Sequence, residues 1–294
     1  MKRMAIVKGR TRQLGIKSLA AVGLLLLVLL ALAVPSQVNA QAKVGTTGAQ
    51  FLELGVSARA MGMAEAYTAV VDDISAVYYN PASLTALMDR EAMFTYINLP
   101  SDIYYAFAGY GMPLESIGGV LGVGMYALST GDMIERTYEQ GTEFGTGRNF
   151  RAQDFAVSVG YGRYLTDRFS IGFNVKYIGE FFHEYSASGW SADVGTLYDT
   201  GYRGFRIAMV ISNFGPDLTL FEDAYPLPIN FKFGGSFNLV EGVDHMLTMA
   251  AEGSHPSDNL EKYNLGLEYI FRDRFILRGG GRFQYDVDSF TAGG

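Results

Sequence analysis

The sequence predicts an all-β fold, a transmembrane antiparallel barrel, and three observations carry that reading. Segments beyond residue 90 alternate apolar and polar residues, tyrosine and phenylalanine gather at the segment ends, and the 294 residues include 36 glycines, 20 phenylalanines and 19 tyrosines but no cysteine. Alternation at period two gives a strand two unlike faces. In residues 169–181, Phe169, Ile171, Phe173, Val175 and Tyr177 share one face, while Ser170, Gly172, Asn174, Lys176 and Glu180 share the other. Phe155, Val157 and Val159 oppose Ala156, Ser158 and Gly160 in the same way, and Tyr263, Leu265 and Leu267 oppose Asn264, Gly266 and Glu268. A soluble sandwich and a membrane barrel both accept such strands. Lengths of about ten residues and aromatic ends (Tyr104, Tyr110, Tyr164, Phe181, Tyr198) favour the barrel, whose apolar face meets lipid and whose polar face lines the lumen.

The chain opens with Lys2, Arg3, Lys8, Arg10, Arg12 and Lys17 ahead of an apolar run over residues 19–34, then Pro35 and the small-residue site Val38-Asn39-Ala40. That order is a signal peptide over residues 1–40, cut after Ala40, because the run falls short of the ~20 residues a spanning helix needs. Export of a barrel places it in the outer membrane of a Gram-negative-type bacterium. Residues 41–90 form an N-terminal plug or hatch segment, and residues 91–294 the barrel. Long links at 130–154, 183–189, 215–228, 254–261 and 285–289 alternate with short ones at 166–168, 201–204, 241–244 and 272–274, as outer loops alternate with periplasmic turns. The first hairpin turns tightly at Pro100-Ser101-Asp102. These links bound eleven full strands and the start of a twelfth. A barrel in lipid closes on an even number of complete strands, so the sequence is expected to be C-terminally truncated, lacking the rest of the twelfth strand and about two more.

Charge and composition exclude several functions. A net charge of −7 without a basic cluster in the mature chain argues against nucleic acid, and the lack of cysteine removes disulfides, thiolate metal sites and thiol catalysis. The stretch Gly118-Gly119-Val120-Leu121-Gly122-Val123-Gly124 lacks the lysine and the strand-turn-helix context of a phosphate loop, and reads instead as strand glycines that admit a close neighbour. His183, His245 and His255 fall in separate links, and no Gly-x-Ser-x-Gly elbow is present. Asp72-Asp73 reads as an acidic turn of the plug. The expectation is therefore no enzyme, no metal and no cofactor.

Mixed charges on the predicted lumen face carry more information: Lys176, Glu180, Asp193, Arg206, Lys232, Glu252, Glu268, Arg278 and Arg282. Charges taken from water need partners, so these suit a lumen that anchors a plug better than an open diffusion pore. The segment over residues 48–84 supplies small residues for close packing, a turn and short helix at Asn80-Pro81, and charges at Arg59, Asp72 and Asp73. Arg59 is expected to pair with a lumen carboxylate, and the plug to be held by charge-assisted bonds in place of a continuous apolar core.

That segment contains Phe51-Leu52-Glu53-Leu54-Gly55, Ala58-Arg59-Ala60-Met61-Gly62-Met63, Glu65-Ala66, Ala69-Val70-Val71-Asp72-Asp73 and Tyr78-Tyr79-Asn80-Pro81-Ala82. It resembles the N-terminal signature of the FadL-like (long-chain fatty acid transporter) superfamily of outer-membrane proteins, most closely its PorV/PorQ branch. Gly189-Trp190-Ser191-Ala192-Asp193-Val194-Gly195 looks like a strand of that branch. Tyr79 stands where tryptophan is usual and Ser83 where glycine is usual. The resemblance implies a fourteen-stranded barrel with an N-terminal plug including Gly62, Asn80 and Pro81. It implies a type IX secretion-associated role in handling exported cargo proteins, with uptake of long-chain fatty acids or other hydrophobic compounds as the alternative. Partners would be outer-membrane lipid together with secretion components and cargo, or a hydrophobic small molecule such as a fatty acid. A partner protein would dock on the first long outer link through Met133, Ile134, Tyr138, Phe144 and Phe150.

Overall fold

The computed structural model describes residues 45–136, 147–220, 223–285 and 289–294. The predicted signal peptide lies outside these residues. The strands, in chain order, are β1 (Glu91–Leu99), β2 (Ile103–Leu114), β3 (Gly119–Ser129), β4 (Met133–Ile134), β5 (Asn149–Phe150), β6 (Ala152–Thr166), β7 (Phe169–Phe182), β8 (Tyr185–Asp199), β9 (Arg206–Phe214), β10 (Leu218–Leu220), β11 (Asp223–Tyr225), β12 (Asn230–Glu241), β13 (His245–Pro256), β14 (Lys262–Phe271), β15 (Phe275–Phe283) and β16 (Phe290–Gly293). Twelve of them form one antiparallel sheet in the order β1-β2-β3-β6-β7-β8-β9-β12-β13-β14-β15-β16, so each sheet strand pairs with the next along the chain. The pairs β4–β5 and β10–β11 are small hairpins within links. β1 and β16 are the sheet's two edges, and no ladder joins them among the described residues. No described helix is long and apolar enough to cross a membrane.

Which way each strand faces follows from its alternation, and the distribution is inside out. Phe173, Val175, Tyr177, Trp190, Val194, Met209, Ile211, Phe233 and Leu267 project outward into the surroundings, whereas Ser158, Asn174, Lys176, Ser191, Asp193, Glu252, Asn264 and Glu268 are buried. Water would penalise so broad an apolar face, and lipid would not. Tyrosines and phenylalanines at strand ends, among them Tyr104, Tyr164, Phe181 and Tyr198, stay exposed.

The other face of the sheet wraps the N-terminal segment. The backbone of residues 48–87 reaches from β1, where Ile74 N donates to Glu91 at 3.2 Å, to β16, where Thr291 Oγ1 donates to the carbonyl of Gly62 at 3.2 Å. Between those edges it touches the inner faces of β7, β8 and β14 so closely that only glycine fits. A Cβ on Gly172 would stand 2.1 Å from the Pro81 carbonyl carbon, one on Gly195 2.1 Å from Asn80 Oδ1, and one on Gly266 2.6 Å from the Met63 carbonyl. Gly122, in the glycine-rich stretch of β3, faces Leu84 in the same manner. A sheet whose two edge strands both bond one short segment must curl around it.

Two expectations need correction. Residues 183–189 are not a long link: β7 and β8 continue the ladder through Phe181↔Ser186 and Phe182↔Tyr185 to a two-residue turn, with His183 at φ 57. Ser186 and Ser188 look loop-like in sequence, but cross-strand bonds satisfy their backbone, and small polar residues suit a strand end in water. The segment also has a continuous apolar core. Phe51, Leu52, Met63, Tyr67, Ile74, Val77, Tyr79 and Leu84 pack with Tyr105 and Phe107 of β2, Val120 and Tyr126 of β3 and Ile178 of β7. The inner faces of β2 and β3 are therefore aromatic and apolar, unlike the polar inner faces farther along the chain. Leu218 and Leu227, from the link carrying β10 and β11, join the same core, and Gly48 N donates to Pro226 O at 2.9 Å.

This close approach sets up a contrast between two glycines. Gly172→Val places its Cβ inside the Pro81–Ala82 peptide, whereas Gly235→Ala meets nothing nearer than Arg206 O at 3.6 Å. Overpacking costs about 1–3 kcal/mol or more, so Gly172→Val should lower the temperature of the heat-modifiable band shift on electrophoresis and expose the N-terminal segment to protease, while Gly235→Ala should do neither.

Candidate functional site

The segment is assembled locally before it meets the sheet. Residues Ala58–Gly62 form a short helix, and the chain turns back through Ala64 and Glu65 at φ 54 and 62, with Glu65 N donating to Ala60 O at 2.8 Å. Left-handed geometry costs a non-glycine residue roughly 1 kcal/mol, and here Gly280 makes room for the Ala64 side chain, a Cβ on it falling 2.6 Å away. Asn80 ends the helix Ala76–Tyr79 and caps the 3-10 turn Pro81–Ala86, its Oδ1 accepting from Ala82 N at 3.1 Å. The Asn80 amide also donates to Thr68 O at 3.1 Å and to Thr196 O at 3.3 Å, which ties the turn to β8. Pro81 at the first position of the turn has no N–H to satisfy.

An ionic cluster joins this segment to β14 and β15. Arg59 Nε and Nη2 donate to the two carboxylate oxygens of Glu268 at 2.9 and 2.8 Å, Arg278 Nε donates to Glu268 Oε2 at 2.7 Å, and Arg59 Nη1 pairs with Asp72. Glu268 is 2 % exposed, so the fork-to-fork geometry is shielded from water at its sheet end. Asp73 accepts from Tyr67 OH at 3.1 Å and from Ser75 N at 2.9 Å, a turn bonded within the segment. The guanidinium of Arg59 also lies over the Tyr67 ring at 5.4 Å. Gly62 rests against Arg278, whose Cβ would be 3.2 Å from an added Cβ.

The other predicted lumen charges lie on the same inner face. Glu252 Oε2 accepts from Tyr67 N at 3.1 Å and Thr68 N at 2.9 Å, and Lys232 approaches Glu252 at 3.8 Å. Glu180 accepts from Ala49 N at 2.9 Å. Lys176 is fully buried between Asp193 at 2.9 Å and Asn213 at 2.6 Å, at a register irregularity where Asn213 takes φ 60. Arg206 begins β9, 3.5 Å from Asp199. Arg282 lines a cavity of about 460 Å³ between the segment and the sheet.

That cavity is the candidate site. Part of its lining is apolar, from Leu52, Leu54 and Met61 of the segment and Ile97 and Leu99 of β1, and part is polar, from Lys232, Lys262, Asn264 and Arg282. Tyr285 stands between Lys262 and Arg282, at 5.2 and 5.5 Å from its ring. Glu53 and Glu65 enter from the segment, and burial pushes both carboxyls above the usual range against the opposing pull of Lys262 and Lys232. Sequence reasoning missed Glu53 and Glu65 because the segment has no periodicity to orient them. Lys262 and Asn264 share the face of Glu268 and were accessible to the same alternation.

The outer link expected to hold a partner surface resolves differently along its length. Met133 pairs with Phe150 and Ile134 with Asn149; Ile134 is exposed, whereas Phe150 packs edge-on against Phe182 at 5.4 Å. Tyr138 and Phe144 lie outside the described residues. His183, in the β7–β8 turn, is 3.5 Å from Glu135. His245 and His255 begin and approach the end of β13, not links, and no cluster of three metal-ligating residues occurs among the described residues.

Two stability effects follow. Glu268→Gln leaves Arg59 and Arg278 facing each other without a full countercharge, expected to cost about 3–5 kcal/mol, whereas Asp72→Asn removes a half-exposed partner and should cost under about 1 kcal/mol in denaturant titrations. For Glu65, a folded-state pKa above the ordinary 4.5 means that its stabilising contribution is complete below that value and is lost as pH rises through the folded pKa. Glu65→Gln should therefore unfold at a higher temperature than the parent at pH 8, with the gap closing toward pH 4; a constant gap would contradict the buried carboxyl.

No family model and no curated protein matches the chain. Among solved structures, the toluene transporter TbuX of Ralstonia pickettii superposes with a TM-score of 0.52 at 14% identity, over 81% of this chain and 88% of that one. A deletion mutant of the monoaromatic hydrocarbon channel TodX gives 0.47 at 12% identity, over 73% of this chain and 80% of that one, too distant to add an argument. The likeness to TbuX shows the fold: one large antiparallel sheet of the kind found in that transporter.

Proposed function

We infer that this chain is an outer-membrane barrel through which a small hydrophobic compound passes, with residues 48–87 as the lumen plug that gates its path; it is a conduit and not an enzyme. The observation that carries the reading is the 460 Å³ cavity between segment and sheet, whose apolar lining of Leu52, Leu54, Met61, Ile97 and Leu99 offers an apolar molecule a place inside the lumen. The outward apolar face supports the membrane location, and the fold likeness to a toluene transporter supports the class of cargo. The role in secretion expected from the PorV/PorQ resemblance has only that N-terminal resemblance behind it. In the hairpin that would dock cargo, Phe150 packs against Phe182 and His183, and Ile134 is exposed.

The discriminating experiment is a gene deletion in the native host. Slower initial uptake of labelled toluene or long-chain fatty acid, restored by the reintroduced gene, is the expected result. Normal uptake of both, together with retention of exported proteins in the periplasm, would reverse the assignment in favour of secretion.

A further inference from the structure

The cavity's polar lining carries hydrogen-bond acceptors that no group among the described residues meets. Asn264 is 5 % exposed, its amide is engaged with Tyr285, and among the described residues its Oδ1 has no hydrogen-bond partner; Asn230 Oδ1 and Glu53 Oε1 share that condition, and all three residues line the one cavity. A donor stands beside them in Lys262, 5.2 Å from the Tyr285 ring, while Lys232 is directed at Glu252.

These groups discriminate among apolar cargoes. A bare hydrocarbon would displace water from Asn264 Oδ1 and Asn230 Oδ1 and put nothing in its place, which weakens binding. A carboxylate could accept from Lys262 but has no proton for Asn264 Oδ1 or Asn230 Oδ1, and it would lie beside the carboxyls of Glu53 and Glu65. A hydroxyl does both jobs, donating to an asparagine oxygen and accepting from Lys262, while the body of the molecule lies on Leu52, Leu54 and Ile97. We propose that the lumen cavity selects uncharged apolar compounds bearing a hydroxyl, alcohols and phenols, over hydrocarbons and carboxylates of the same shape. The proposal rests on the conduit reading and names its preferred cargo.

The test is a titration of the purified chain in detergent with three probes of one shape: 4-methylphenol, toluene and 4-methylbenzoate. One well-placed hydrogen bond amounts to about tenfold in affinity, so 4-methylphenol should bind about tenfold tighter than either of the others. Asn264→Leu should bring 4-methylphenol and toluene to within about twofold of each other, and Asn230→Val serves the same end if the first variant fails to show the heat-modifiable folded band. Saturable toluene or 4-methylbenzoate binding as tight as that of 4-methylphenol, or an unchanged preference in the folded variants, overturns the hydroxyl preference and leaves the conduit standing. Absence of saturable binding by all three overturns both.

Discussion

The approach of a peptide backbone to a sheet face is the constraint on which the rest of this structure depends. The N-terminal chain lies on the inner side of the sheet at a distance that Gly172, Gly195 and Gly266 permit and that a single methyl group at any of them would forbid. Gly172 and Gly195 face each other across the adjacent β7 and β8, and Gly266 lies four strands farther along on β14, so one segment contacts two separate parts of the sheet. The strands in turn present their apolar residues outward, since the inner face is taken up by polypeptide. Lipid-facing alternation and a filled interior are thus two consequences of one arrangement.

The segment is held in two different ways on its two sides. Against β2, β3 and β7 it is held as a soluble core is, by Tyr67, Ile74, Val77, Tyr79 and Leu84 on Tyr105, Phe107, Tyr126 and Ile178. Against β13, β14 and β15 it is held by charge: Glu252 receives two backbone N–H groups and Glu268 receives two arginines. Both carboxylates are buried, so removing either partner would leave an uncompensated charge, and Glu252 also lines the cavity.

Much of this was legible in the sequence. Alternation orients β6, β7 and β14 correctly, and the same rule puts Lys176, Asp193, Glu252, Glu268 and Arg278 on the inner face. What period-two reading cannot see is an inner face that is itself apolar, because alternation between two apolar sets leaves no contrast; Tyr105, Phe107 and Tyr126 are hidden for that reason. Nor can it orient residues in a segment without regular structure, which conceals Glu53 and Glu65. The turn at His183 was obscured by small polar residues that serve a strand end and a loop equally.

The central claim is that residues 48–87 occupy and close the lumen. Single-channel conductance in planar bilayers tests it most directly, comparing the intact chain with one lacking residues 45–86. The intact protein should hold the bilayer closed to small ions, and the shortened one, provided it still inserts as a heat-modifiable sheet, should open a large and steady ion-conducting pore. Equal conductance in the two would contradict the claim.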